Sequence, residues 1–129
     1  MKLTRIDASH PLFEASFTLY EASFPPNERR MREDHLRALQ DADFSPLGAV
    51  EDGMLLADVF LWETEDFCYL EHFAVQPSLR GHGTGSTILR QLLTQDKPLI
   101  LEIEPPDDEI TCRRKHFYER NGLCAQPYG

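Results

Sequence analysis

Between residues 67 and 95 the chain passes from a strand-like run, through Arg80-Gly81-His82-Gly83-Thr84-Gly85-Ser86, into a helix-like run. Ahead of the glycines lies FCYLEHFAV (67–75), rich in aromatic and β-branched residues, followed by the turn signal Gln76-Pro77-Ser78. Behind them Ile88, Leu89, Leu92 and Leu93 recur at helical spacing. Three glycines at alternate positions let the backbone approach a ligand closely, with successive N–H groups free to point one way. They open onto a helix N-terminus, whose orphan donors and dipole favour an anion. A strand, a glycine turn and a helix start in that order make a candidate phosphate cradle.

The remaining composition narrows the partners. A chain of 129 residues is long enough for one domain with its own core, over 1–129, and too short for two. Its 22 acidic residues against 13 basic ones give a net charge of −9, the opposite of the balance a phosphate-tracking nucleic-acid binder shows. Such a surface keeps a protein soluble, and it also steers cationic partners such as amines. The basic residues form two islands, Arg29-Arg30-Met31-Arg32 and Arg113-Arg114-Lys115. No run approaches the ~20 apolar residues of a membrane span. MKLTRIDASH lacks the apolar core of a signal peptide. Cys68, Cys112 and Cys124 are odd in number and have no C-x-x-C spacing, the pattern of reduced thiols, so a cytoplasmic protein is expected.

The elements read β-α-α-β-β-β-α-β-α. Residues 1–6 suggest a first strand, and Leu12, Phe13, Phe17 and Tyr20 share one face of a helix over 11–20 that Phe24-Pro25-Pro26-Asn27 stops. A second helix is expected over 28–40, with Met31, His35, Leu36 and Leu39 on one side. Two strands within 49–62 meet at Glu51-Asp52-Gly53, a hairpin signal, and 67–75 adds a third. After the helix of 83–95, LILEIE (99–104) reads as a strand ended by Pro105-Pro106, and 109–121 as a last helix with Gly122 beyond it. The expected architecture is α/β: a mixed, mostly antiparallel sheet flanked by helices, with a parallel crossover around the glycine turn and the strand before that turn at its centre.

Three phosphate motifs compete for the turn. A nucleotide-triphosphate loop needs a lysine after its last glycine, and Ser86 stands there. A dinucleotide fingerprint needs G-x-G-x-x-G, whereas this segment reads G-x-G-x-G and too little chain follows for a doubly wound sheet. The third is a coenzyme A pyrophosphate loop. Residues 80–85 match the Arg/Gln-x-x-Gly-x-Gly/Ala motif, FAVQPSLRG (73–81) resembles the strand-to-loop segment, and HFYERNGL (116–123) resembles the last conserved helix, of the GNAT superfamily of N-acetyltransferases.

That resemblance, over most of 10–123, implies an acyl-coenzyme A N-acyltransferase fold and acetyl-coenzyme A as co-substrate, with no metal. It implies that the backbone of Phe73, Ala74 and Val75 holds the pantetheine arm like an added strand, with the N–H of Phe73 or Ala74 polarising the thioester carbonyl. Arg80, Gly81, His82, Gly83, Thr84, Gly85 and Ser86 would then form the pyrophosphate site. Tyr118 takes the position of a general acid for the departing thiolate. Glu71 and Glu102 are the candidate bases. Strand alternation puts Glu71 and Phe73 on one face and His72 on the other, and puts Glu102 and Glu104 with Ile100. The acceptor groove falls near Phe24, Pro25, Pro26, Glu28, Arg29 and Arg30, where the two arginines either clamp an acceptor carboxylate or flank a helix start.

The implied reaction is acetyl transfer to a primary amine, of a small molecule or a peptide, by direct attack in a ternary complex. No cysteine stands where an acyl-enzyme would form. The alternative is a non-catalytic module of the same fold that binds or senses acyl-coenzyme A. Two departures stand out. Pro105 to Glu109 occupies the place of a cofactor-contacting asparagine. Only Leu123 to Gly129 follow the last helix, where family members continue into two strands, so those strands are expected to be missing or supplied by a partner, as in a homodimer.

Overall fold

The computed structural model describes residues 1–103 and 106–124. Among these residues five strands and four α-helices follow in the expected order: β1 (Lys2–Arg5), α1 (Phe13–Ser23), α2 (Arg32–Ala38), β2 (Phe44–Glu51), β3 (Met54–Glu63), β4 (Cys68–Val75), α3 (Thr84–Leu93), β5 (Leu99–Ile100) and α4 (Glu109–Arg120). The sheet order is β1-β2-β3-β4-β5, antiparallel except for β4 and β5. The Asp-Gly hairpin forms as its residues require, with Asp52 and Gly53 both at positive φ.

Helices cover both faces of the sheet. On one, Ile88, Leu89 and Leu92 of α3 pack with Val59, Leu61 and Leu70, and Phe117 and Tyr118 of α4 close over them. On the other, Phe17 and Tyr20 of α1 meet Phe44 and Phe60. α1 is also pinned by a buried polar contact, Ser16 Oγ donating to Asp58 Oδ1 at 2.6 Å. The strand buried on both faces is β3, and it lies at the middle of the sheet. The strand before the glycine turn is therefore not the central one: β4 sits beside β3 with its outer edge turned towards β5.

β5 departs furthest from its expected length. LILEIE was expected to run as a strand over 99–104, but only Leu99 and Ile100 pair, with Cys68 and Tyr69. Glu102 lies past the pairing and is exposed, so it shares no sheet face with Ile100. Glu104, and residues 125–129 of the segment after the last helix, lie outside the described residues. α2 starts at Arg32 rather than 28, and Met31 is 74% exposed instead of helping to cover the core. Extended backbone at Arg29 and Met31 carries Arg30 towards the sheet, a tertiary demand that overrides local helix preference.

The register of β4 contains the most consequential irregularity. Phe60 pairs with His72 and Leu61 with Leu70, which leaves Glu71 as an extra residue, a β-bulge. Strict alternation would put Glu71 with Phe73. The bulge instead turns Glu71 to the α1–α2 face with His72, while Phe73 packs on the α3–α4 side.

Candidate active site

α3 begins without a side-chain cap. Gly83 is its N-cap, in the left-handed region at φ 78°, and Gly81 precedes it at φ 85°. The first bond of the helix ladder runs from Thr87 N–H to the Gly83 carbonyl, so the amides of Thr84, Gly85 and Ser86 come before it. The space around Gly81 and Gly83 is open, with nothing within 4 Å of where a Cβ would stand. Gly85 is different: a Cβ there would lie 3.3 Å from Phe117 Cζ, so it is small because α4 crosses close by. The His82 N–H is committed to the Leu79 carbonyl, and the Arg80 side chain is exposed at the rim. This is an uncapped helix start with an open glycine approach, and an anionic group fits it.

The cradle continues into an unpaired strand edge. β4 is bridged to β5 only at Cys68 and Tyr69, so from Leu70 to Val75 its outer edge has no strand partner among the described residues. Phe73, Ala74 and Val75 lie on that stretch, directly before the turn into the cradle. Tyr118 lies on α4, half-buried against the same core, its ring edge-on to Phe117 at 5.3 Å. A contact not apparent from sequence ties the helices together: Asn121 Nδ2 donates to Ser86 Oγ at 3.2 Å and to the Phe117 carbonyl at 2.8 Å. Ser86 is thus linked to the end of α4. The helix start opposite is closed by its own residues, Asp108 and Thr111 forming a capping box in the region where an asparagine was expected.

On the other face a polar cluster sits among aromatic rings. Arg30 Nη1 donates to Glu71 Oε1 at 2.5 Å, and the guanidinium stands over the rings of Phe44 and Tyr20 at 5.0 and 5.6 Å. The Arg30 backbone N–H donates to the Tyr20 hydroxyl at 2.6 Å. His72 Nε2 is 2.8 Å from the Glu28 carbonyl, and its ring lies edge-on to Tyr20 and Phe24. Arg29 holds its own loop, with Nε donating to the Phe24 carbonyl and Nη1 3.6 Å from Glu21. The connection from Phe24 to Arg30 is therefore stapled to the β4 bulge at two points. The carboxylate that Arg30 clamps is that of Glu71.

These contacts set the ionisation of the cluster. Burial by itself raises the Glu71 carboxyl, but the His72, Arg30 and Trp62 side chains beside it and the positive charge of Arg30 outweigh burial and bring it down to about 2. Burial, and then Arg30, push His35 down to about 4, so this buried imidazole is neutral at pH 7. Asp58 has no cation beside it. Burial raises it to about 8 against the single hydrogen bond from Ser16, and its Oδ2 has no partner.

Sequence patterning pointed to the glycine cradle, β4 and Tyr118, and missed Tyr20, Asp58, His72 as a loop anchor and Asn121. One signal for the bulge is present: the apolar positions Cys68, Leu70, Phe73 and Val75 step by two, then three, then two.

A mixed sheet with an open strand edge running into an uncapped helix start defines the class: an α/β protein in which exposed strand backbone leads directly into the free amides of a helix start. A family model described as the acetyltransferase (GNAT) family matches residues 10–123, and the chain belongs to that family. It is similar to a solved structure of a putative GNAT-family acetyltransferase from Bacteroides thetaiotaomicron, with 30% identity and a TM-score of 0.88 over 95% of this chain and 71% of that one. A putative acetyltransferase of Bacillus subtilis (strain 168), YjbC, is 35% identical over 60 residues, which are 45% of this chain and only 31% of that relative's length. The fold is also that of an aminoglycoside acetyltransferase from an uncultured soil metagenomic sample, solved with sisomicin, at 18% identity and a TM-score of 0.72 over 99% of this chain and 91% of that one.

Proposed function

We propose that this protein transfers the acetyl group of acetyl-coenzyme A to a primary amine by direct attack in a ternary complex. The observation that carries the reading is the continuity between the unpaired edge of β4 over 70–75 and the open cradle at Gly81–Ser86. In this reading the backbone of Phe73 to Val75 binds the pantetheine arm as an added strand, and an N–H there polarises the thioester carbonyl. The amides of Gly81 and Gly83 to Ser86 face the pyrophosphate, with Arg80 adding charge from the rim.

Tyr118 is assigned the leaving group. As the amine nitrogen bonds to the carbonyl carbon and the C–S bond breaks, the phenol gives its proton to the thiolate sulfur and takes back the proton the nitrogen sheds. The acceptor lies on the α1–α2 side, beside Phe24, Arg29 and the Glu71 bulge, and the charge of −9 draws amines there. That an aminoglycoside acetyltransferase shares the fold supports a small-molecule amine.

Thermal shift with coenzyme A esters tests the cofactor class, and turnover with an amine panel tests the reaction. Coenzyme A is expected to raise the melting temperature, because a ligand that binds only the native state stabilises it. Gly83→Val, which forces a branched side chain into the left-handed region, is expected to raise the KM for acetyl-coenzyme A about tenfold or more, a cost of roughly 1–3 kcal/mol. Stabilisation without turnover on any amine would mark an acyl-coenzyme A sensing module instead. Tyr118→Phe is expected to lower kcat by about 100-fold with little change in KM. An unchanged rate at every pH would remove Tyr118 from the mechanism.

A further inference from the structure

The transfer needs a base, since an amine arrives as an ammonium ion, and neither candidate carboxylate is well placed to be one alone. Glu102 lies outside the sheet, exposed to solvent. Glu71 reaches the acceptor face, but Arg30 grips it and holds it ionised, so by itself it keeps a proton poorly. The bulge brings a third group to the place. His72 follows Glu71 and points to the same face, with its Nδ1 3.3 Å from Glu71 Oε1.

The contacts of the ring fix its tautomer. Nε2 is 2.8 Å from the Glu28 carbonyl, and a carbonyl only accepts, so Nε2 carries a hydrogen. In the neutral ring Nδ1 then has a lone pair. That atom is buried and, in the neutral ring, faces a carboxylate oxygen that also offers only lone pairs, so the contact by which His72 lowers the Glu71 carboxyl forms only when Nδ1 carries a proton. A proton on Nδ1 resolves the mismatch: both ring nitrogens become donors, one towards the Glu28 carbonyl and one towards Glu71.

We propose that the slot between His72 Nδ1 and Glu71 Oε1 receives the proton that the acceptor ammonium must lose. This rests on the acetyltransfer reading above. One ammonium N–H bond breaks and its electron pair stays on the nitrogen as the nucleophile. The proton passes along Glu71, whose side chain is the more exposed of the two at 25% against 11%, and forms an N–H bond at Nδ1. Glu71 ends as the carboxylate it was, His72 as an imidazolium, and the proton returns to solvent by the same path after release. Arg30 keeps Glu71 from retaining the proton, and Glu28 holds the ring. His72 acts through Glu71 and is a positioning residue for the proton, not a group that touches substrate.

The groups facing His72 are few. Among the described residues they are Tyr20 from α1, His35 from α2, Arg30 and the Glu28 carbonyl from the connection between those helices, Glu71 beside it, and Asp58 two pairs along β3, which Ser16 holds. Tyr20, Asp58 and His35 are uncharged around neutrality, so the slot is governed by Glu71 and Arg30.

The test is the pH profile of acetyl transfer in the wild type and in His72→Gln, with fold checked by near-UV circular dichroism. The acid limb of kcat/KM for the amine is expected to vanish in His72→Gln, with kcat lower by about 100-fold and the KM for acetyl-coenzyme A unchanged. Nitrogen NMR of the wild type labelled at histidine is the second readout. Nε2 is expected to carry a hydrogen in the neutral ring, as its contact with the Glu28 carbonyl requires. A folded His72→Gln that keeps the limb overturns the proposal and leaves the acetyltransfer reading standing. So does a wild-type spectrum with Nε2 unprotonated, which decides the matter if the variant fails to fold. No turnover by the wild type on any amine overturns the acetyltransfer reading, and this step with it.

Discussion

Raising the pH from about 5 to about 9 is expected to cost the native state roughly 4 kcal/mol through Asp58 alone, and Asp58→Asn to abolish that loss. Asp58 is fully buried on β3, bonded only to Ser16, and its carboxyl is raised from 3.8 to about 8. The native chain therefore keeps a proton that the unfolded chain releases above 3.8. With fewer protons on the unfolded state, stability falls as pH rises, by about 1.4 kcal/mol per unit. The fall ends near pH 8, where Asp58 ionises in the native state as well. Asparagine keeps the shape and an acceptor for the Ser16 hydroxyl but has no proton to lose. Urea unfolding at several pH values should show the variant equal to or slightly below wild type at about pH 5 and well above it at about pH 9. Parallel curves for the two proteins would mean that Asp58 is not the buried acid described.

Arg30→Met is expected to destabilise by about 3 kcal/mol, because it leaves Glu71 half-buried beside aromatic rings with no cation. Methionine keeps apolar contact with Phe44 and Tyr20, so packing is a minor part of the loss. The low value of the Glu71 carboxyl sets the pH dependence: the stabilisation is present in full above 4.5 and is lost as pH falls towards about 2, where wild-type Glu71 itself takes up a proton. The gap between wild type and Arg30→Met should close over that range. In a double-mutant cycle, Arg30→Met with Glu71→Gln should recover part of the loss, since the stranded charge is gone. Full additivity of the two changes would show that the pair is not coupled.

The features legible in the amino-acid order are those made by neighbours in the chain. Gly81 and Gly83 adopt positive φ where their spacing placed them, Asp52-Gly53 turns the hairpin, and α3 buries Ile88, Leu89 and Leu92 as their periodicity required. The pairing of Glu71 with His72 was not read from the pattern, because alternation assumes an uninterrupted ladder and the bulge adds one residue to β4. The length of β5 was not legible either. Leu101 and Ile103 continue the apolar alternation, but pairing depends on where β4 stays within reach, and it does so only as far as Tyr69.

The basic island Arg29 to Arg32 shows the same division. Its charge suggested an acceptor clamp or a solvated helix start, yet Arg30 folds inward because Glu71, some forty residues along the chain, presents a carboxylate to it. Asn121 and Asp58 carry no local mark at all, since their partners Ser86 and Ser16 lie on other helices.

The order of residues was thus enough to determine the cradle, the element order and the family resemblance, since each rests on conformational preferences that act over a few residues. Tertiary structure alone decided where β4 sits in the sheet, how far its edge stays open, and which charges meet on its far face. Those depend on strand register and on burial, and both are set by segments that meet only when the chain has folded.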